Sequence, residues 1–169
     1  MTKDEVIALL NLEGHFEGGY FRQTFKATHR EPVITERGKR TSMTAIYYML
    51  STDNSIDHFH TKHSDGIEFY HMGLPITYHM IHPDGRYEKV VVGPDIKNGQ
   101  QLQLAVAGGT YKAAELTPDE SSTAEHDFGL VSEAVAPGWE PEDMIEVSAA
   151  ELLEKFPQHK NIIQRLARS

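Results

Sequence analysis

Apolar and polar residues alternate along most of this chain in short runs, and the runs are broken by Gly, Pro, Asn and Asp. That period of two is the mark of half-buried strands. After Gly18-Gly19, Tyr20, Arg22 and Thr24 alternate with Phe21, Gln23 and Phe25. Met43 to Leu50 is apolar on both parities, as expected of a strand covered on two sides, one a barrel interior and the other a partner subunit. Pro75 to Ile81 and Arg86 to Val92 flank His82-Pro83-Asp84-Gly85, a hairpin signal. Further strands are expected at Leu102 to Val106, Thr110 to Leu116 and Phe128 to Val135, with a mobile loop at Glu31 to Arg40 and a polar loop at Thr117 to His126. Helical spacing occurs only near the ends. Thr2 and Glu5, then Ser148 and Glu151, have capping-box spacing ahead of apolar residues, and Ile162, Ile163 and Leu166 mark a last amphipathic helix. The pattern predicts one domain dominated by β-structure, a sandwich or barrel with short helices at its ends.

At 169 residues the chain suits a single domain with its own core. Sixteen basic residues against 25 acidic ones give a formal charge of −9, which argues against binding a phosphate backbone, so nucleic acid is not an expected partner. The absence of cysteine rules out disulfides and thiolate chemistry. No apolar run approaches the roughly 20 residues that span a bilayer, and Met1 to Asn11 lacks a signal-peptide pattern. No membrane partner is expected, and a cytoplasmic location is.

Chemistry concentrates in Ser55 to Gly73, SIDHFHTKHSDGIEFYHMG, which places four histidines and three carboxylates among apolar residues. On a regular strand His58 and His60 point to one face and Phe59 to the other, with Gly66 and Glu68 sharing a parity further on. Two imidazoles and a carboxylate on one inner face would build a small-molecule site. Imidazole titrates near neutral pH and can take or give a proton. His63 and His71 are expected at the surface.

The segments EGGYFRQT (17–24), TAIYYML (44–50), FHTKHSDGIEFYHMG (59–73) and VAPGWEPEDM (135–144) resemble, in order and over nearly the whole chain, the short cupins often labelled cupin family five. The resemblance implies a double-stranded β-helix, or jelly roll, similar to that of the deoxysugar-nucleotide epimerases (an RmlC-like cupin), and a homodimer. It supplies no activity, because that family has none firmly assigned, and fold alone does not give one. Metal-binding cupins carry His-x-His, a glutamate seven residues before a closing glycine, and one more histidine in a second motif. Here Gly66 stands at the glutamate position and Lys112 at the last histidine. An ammonium has three donors and no lone pair, so no metal cofactor is expected. If a divalent metal is bound, its ligands would be His58, His60 and Glu68.

The expected site therefore combines His60 and Lys112 as catalytic groups with Arg22, Tyr47, His58 and Glu68 as ligand-binding groups. A buried Glu68 needs a partner, and Lys112 is the obvious one. Arg22 offers a planar fork for a carboxylate or phosphate. Tyr47 or Tyr48 would present a hydroxyl, while Trp139 is expected to pack beneath the C-terminal helix. The functional expectation is a small-molecule-binding cupin, in one form a metal-independent isomerase or epimerase of sugars in which His60 abstracts a proton beside a carbonyl and Lys112 or a tyrosine stabilises the enolate. A non-catalytic metabolite-binding cupin and a metallo-cupin are the alternatives.

Overall fold

The computed structural model describes residues 1–116 and 126–169, so most of the expected Thr117 to His126 loop lies outside the described residues. Helix α1 (Lys3–Leu10) opens the chain, capped by the reciprocal Thr2 and Glu5 bonds that the sequence spacing indicates. Strands follow as β1 (Glu13–Gly14), β2 (Tyr20–Lys26), β3 (Val33–Thr35), β4 (Gly38–Arg40), β5 (Thr44–Ser51), β6 (Ile56–Thr61) and β7 (Asp65–Gly73). Then come β8 (Ile76–Ile81), β9 (Tyr87–Val92), β10 (Gln103–Val106), β11 (Tyr111–Leu116), β12 (Phe128–Ala136) and β13 (Ile145–Glu146), before α2 (Ala149–Lys155) and α3 (Lys160–Leu166).

Two antiparallel sheets face each other in a jelly-roll arrangement. One has the order β1-β2-β5-β12-β7-β10 and the other β13-β6-β11-β8-β9. Among the described residues no strand belongs to both, so of the two forms expected, sandwich or barrel, the jelly roll takes the open sandwich. Its walls are completed by side chains rather than by a continuous ladder. The Glu31 to Arg40 stretch, expected to be a mobile loop, forms the β3-β4 hairpin. Arg40 fastens that hairpin to the buried Asp143 through Nε at 2.8 Å and a second nitrogen at 2.9 Å. Two charged forks meeting this way are invisible to a local turn-propensity reading.

Each layer buries a distinct set of residues. Between the sheets lie Tyr48, Leu50, Ile76, Met80, Val92, Leu104, Leu116 and Val131. Phe59, Ile81 and Ala113, on the outer face of the five-stranded sheet, are covered by Leu152, Phe156, Ile163 and Leu166 of the C-terminal helices and their junction. On the opposite outer face, Met49 and Leu130 pack with Val6 and Leu12 from the N-terminal helix and the turn after it. The inward rows change character along their length. On β11 the row runs Leu116, Ala114, Lys112, and on β12 it runs Val131, Glu133, Val135. One end of the sandwich is therefore aliphatic, and the other holds charge. No helix among the described residues is long and apolar enough to cross a membrane.

Candidate active site at the polar end of the sandwich

The polar end encloses a cavity of about 210 Å³ lined from both sheets. Two cross-strand pairs form its floor. In one sheet Glu68 of β7 lies directly opposite Glu133 of β12. In the other, His60 of β6 lies opposite Lys112 of β11. Like charges facing each other on a ladder repel, so the carboxylate pair demands cations. Lys112 supplies one, bonded to Glu68 and 3.5 Å from Glu133 Oε1, and Lys62, just beyond β6, bonds Glu133. With Glu68 ionised, the four buried charges sum to zero.

This arrangement sets the protonation of each group. Burial alone would raise Glu133, but Lys112 and Lys62 outweigh it and hold the carboxyl down to about 2. Glu68, buried and facing the charge of Glu133, is pushed above the ordinary carboxylate range despite Lys112. Burial works against the Lys112 ammonium, yet Glu133, Glu68 and Asp57 keep it firmly protonated, its pKa raised. Burial, reinforced by the charges of Lys112 and Lys62, lowers His60 to about 3. His60 is thus a neutral imidazole, and its Nδ1–H donates to the His58 carbonyl at 2.8 Å, which leaves the lone pair on Nε2. Burial also lifts Asp57 well above the usual carboxylate range, which favours its protonated form, and its Oδ1 lies 3.6 Å from His60 Nδ1. His15, from the loop before β2, is lowered to about 4 by burial and by Lys62.

Three buried oxygens of residues that line the cavity, Asp57 Oδ1, Thr61 Oγ1 and Tyr78 Oη, have no hydrogen-bond partner among the described residues. Such groups are costly unless something satisfies them. Toward the rim the lining turns apolar, with Phe16, Phe21, Ile46, Val135, Trp139 and Met144. A polar floor beneath apolar walls orients a ligand by its hydrogen-bonding end.

The structure brings His60, Glu68 and Lys112 to this cavity, and takes Arg22, Tyr47 and His58 elsewhere. His58 leaves because β6 carries a bulge. The pairing shifts from Lys112↔His60 to Ala114↔Asp57, so one extra residue lies between Asp57 and His60 and the parity flips. Asp57 faces inward in consequence, and His58 Nδ1–H reaches the Leu166 carbonyl of α3 at 3.2 Å. Arg22 and Tyr47 occupy the outer face of the six-stranded sheet, paired across β2 and β5, with the guanidinium 5.7 Å from the Tyr47 ring centre. Tyr48, on the opposite parity, lines the cavity, and its hydroxyl donates to the Gly18 carbonyl at 2.6 Å. Trp139 forms part of the rim instead of packing beneath the C-terminal helix. His71 lies on the outer surface beside Ser132.

Sequence reasoning missed Asp57, Lys62, Glu133 and His15. Glu133 had a signal, since it is the one acid in the otherwise apolar or small run Phe128 to Ala136. A buried strand seldom carries such a residue without a partner. Gly66 reveals how Glu133 is accommodated: a Cβ there would lie 2.8 Å from Glu133 Oε1. The carboxylate of Glu133 fills the space that a side chain at position 66 would take.

These residues do not fit a divalent metal. Among those described, no three His, Cys, Asp or Glu side chains converge as a ligand set. His58 is turned away, both glutamates are engaged by ammonium groups, and Lys112 presents a positive charge beside His60.

Comparison with known proteins places this geometry in context. The family description Cupin superfamily (DUF985) matches residues 4–146. The uncharacterized protein YML079W of Saccharomyces cerevisiae is 38% identical over 139 residues, covering 76% of this chain and 67% of the yeast protein. A hypothetical protein from Leishmania major superposes with a TM-score of 0.92 at 30% identity, each chain covered completely. Protein SO0799 from Shewanella oneidensis gives 0.85 at 30% identity over 99% of this chain and 98% of that one. Oxalate decarboxylase from Bacillus subtilis shares the fold alone, with a TM-score of 0.53 at 10% identity, and this chain spans 37% of its length.

Proposed function

The chain belongs to the cupin superfamily (DUF985), and from that premise we propose that its cavity binds a small, neutral, hydroxyl-rich molecule without a metal. The observation that carries this reading is the quartet of Lys62, Glu133, Lys112 and Glu68, three of them buried and Lys62 partly so, whose charges cancel with Glu68 ionised. A site with no net charge offers little to a multiply charged ligand. It offers many donors and acceptors to hydroxyl groups, and Asp57, Thr61 and Tyr78 add three atoms that a ligand would satisfy. At about 210 Å³ the cavity suits a monosaccharide-sized molecule, or the sugar end of a larger one, rather than a whole nucleotide sugar.

The finer reading is proton transfer beside a carbonyl. His60 Nε2 carries the lone pair, and Lys112, with Tyr78 near it, supplies charge and a hydroxyl for a developing enolate oxygen. Because its pKa is depressed to about 3, His60 is a weak base until a ligand changes its surroundings. We also assign a homodimer contact to the outer face of the six-stranded sheet, where the buried Arg22 Nε has no partner among the described residues and Ile67 and Met72 are exposed.

A thermal-shift titration with neutral aldoses, ketoses and polyols tests the binding half. The expected result is saturable stabilisation by at least one of them, lost in Lys112→Met. Exchange of a carbon-bound proton in deuterated water, dependent on His60, tests the catalytic half. Failure of every neutral sugar, together with about one equivalent of tightly held metal in protein purified without a tag, would overturn both.

A further inference from the structure

A second cluster of titratable groups lies on the outer face of the five-stranded sheet, away from the cavity. Three neighbouring strands contribute one side chain each. Tyr87 of β9 donates its hydroxyl proton to His79 Nδ1 at 2.7 Å, and His79 Nε2–H donates to Glu115 Oε1 of β11 at 2.8 Å. The register sets this up: Ile81, two residues along β8 from His79, pairs with Tyr87, and Thr77, two residues the other way, pairs with Glu115. Both partners are therefore diagonal neighbours of His79, within reach of long side chains. Arg165 of α3 clamps both oxygens of Glu115, one of them at 2.9 Å.

The order hydroxyl, imidazole, carboxylate is that of a nucleophile held by a base which a third group orients. His79 is only 2% exposed, whereas Tyr87 is 37% exposed. The base is shielded, while the Tyr87 side chain that meets it is partly exposed. Tyr87 also forms one wall of a surface groove of about 270 Å³, completed by Gln158, His159, Lys160, Asn161 and Ile162. His159 lies 5.7 Å from the Tyr87 ring, centre to centre, and its Nε2–H donates to the Gly85 carbonyl. A groove with polar walls beside a base-linked tyrosine is more than a hairpin staple requires.

We propose that Tyr87 is a base-activated nucleophile that accepts an acyl group from activated esters. Tyr87 Oη attacks the acyl carbonyl carbon and its proton passes to His79 Nδ1. The bond from that carbon to the leaving phenol oxygen breaks, and the imidazolium returns the proton to the departing phenolate. The products are O-acyl-Tyr87 and a free phenol, with no oxidant or further reactant. Glu115 is a positioning residue, since its carboxylate acts through His79 and is held by Arg165.

The test treats the full chain with p-nitrophenyl acetate and follows p-nitrophenolate release, intact mass and the modified peptide. A single acetyl group on Tyr87 is expected, formed about 100-fold faster than on Tyr111, which is half-buried on the same sheet face. Tyr87→Phe should remove that adduct. His79→Gln retains hydrogen-bonding ability without a base and should slow labelling at Tyr87 to the rate at Tyr111. Glu115→Gln should slow it less, and Glu115→Asp should restore most of the rate. Should His79→Gln fail to fold, the site and rate of labelling in the native chain still decide. Acetylation spread over lysines and the amino terminus, with Tyr87 no faster than Tyr111, would overturn the proposal.

Discussion

Replacing Lys112 by methionine removes the charge on which the cavity floor depends while keeping a side chain of similar length. Lys112 and Glu68 are 4% and 2% exposed, so water screens their attraction little. At the effective dielectric of about 20 that suits protein sites, a unit pair near contact is worth roughly 5 kcal/mol, and the second contact, to Glu133 at 3.5 Å, about as much again before desolvation is set against it. The net loss is far smaller than that sum, because the ammonium itself was costly to bury. Measurements on comparable buried pairs put the cost of removing one partner at about 3–5 kcal/mol. For a chain of this size that corresponds to a fall in Tm of about 6–20 °C.

Urea unfolding of four proteins, wild type, Lys112→Met, Glu68→Gln and the double variant, measures this directly. The double variant should recover much of the loss, because no charge is then stranded opposite Glu133 without its own partner Lys62. The pH dependence has a definite sign. In Lys112→Met the folded-state pKa of Glu68, already raised, rises further above the unfolded value. The variant's deficit should then grow as pH rises from the unfolded carboxylate range through the folded pKa of Glu68, above a remainder at acid pH from the lost Lys112–Glu133 attraction, because Glu133 stays ionised down to about 2. A loss below about 1 kcal/mol at neutral pH, or a double variant no better than the sum of the singles, would refute the buried quartet.

Three further outcomes follow from the same geometry. His60 is held neutral with its pKa near 3, so the unfolded chain gains a proton below about pH 6.5 that the folded chain refuses; stability should fall by about 3 kcal/mol between neutral pH and pH 4.5 from this group alone, and urea midpoints for His60→Gln should show a correspondingly flatter acid limb. Gly18 has φ +117°, and a Cβ there would lie 1.9 Å from the Ile56 carbonyl oxygen; Gly18→Ala should destabilise by at least about 2 kcal/mol and loosen the loop that carries His15, read as faster proteolysis at that loop. Phe59, 1% exposed between β6 and the C-terminal helices, should cost about 3–5 kcal/mol when truncated to alanine, measured by denaturant unfolding.

The strands were legible because each buries one face, and burial writes a period of two into the sequence. The β5 and β8-β9 segments and all three helices follow their local signals. The β3-β4 hairpin escaped because its anchor is Asp143, a hundred residues away, and no local signal carries a contact of that kind. The choice between sandwich and barrel stayed open for a related reason: alternation tells which residues face inward, and says nothing about whether the outermost strands of two sheets meet.

For the site, the decisive feature is the bulge in β6. A regular strand would have presented His58 and His60 together, a pair suited to a metal. One inserted residue replaces His58 by Asp57 on the inner face, so the cavity gains a carboxylic acid and loses an imidazole. A bulge changes no residue type and leaves the alternation of the flanking segments intact, and for that reason the sequence does not display it. The same logic connects Gly66 with Glu133. The side chain missing from position 66 of β7 is matched by a carboxylate arriving from β12, so the cavity keeps two acids while their source moves to another strand. Once Glu133 stands opposite Glu68, repulsion between them selects cations, and Lys112 and Lys62 are the groups within reach. The lysine at position 112 is thus the electrostatic counterpart of the acids at 68 and 133, and a variant that restores histidine there without removing one acid would leave the floor with an uncompensated negative charge.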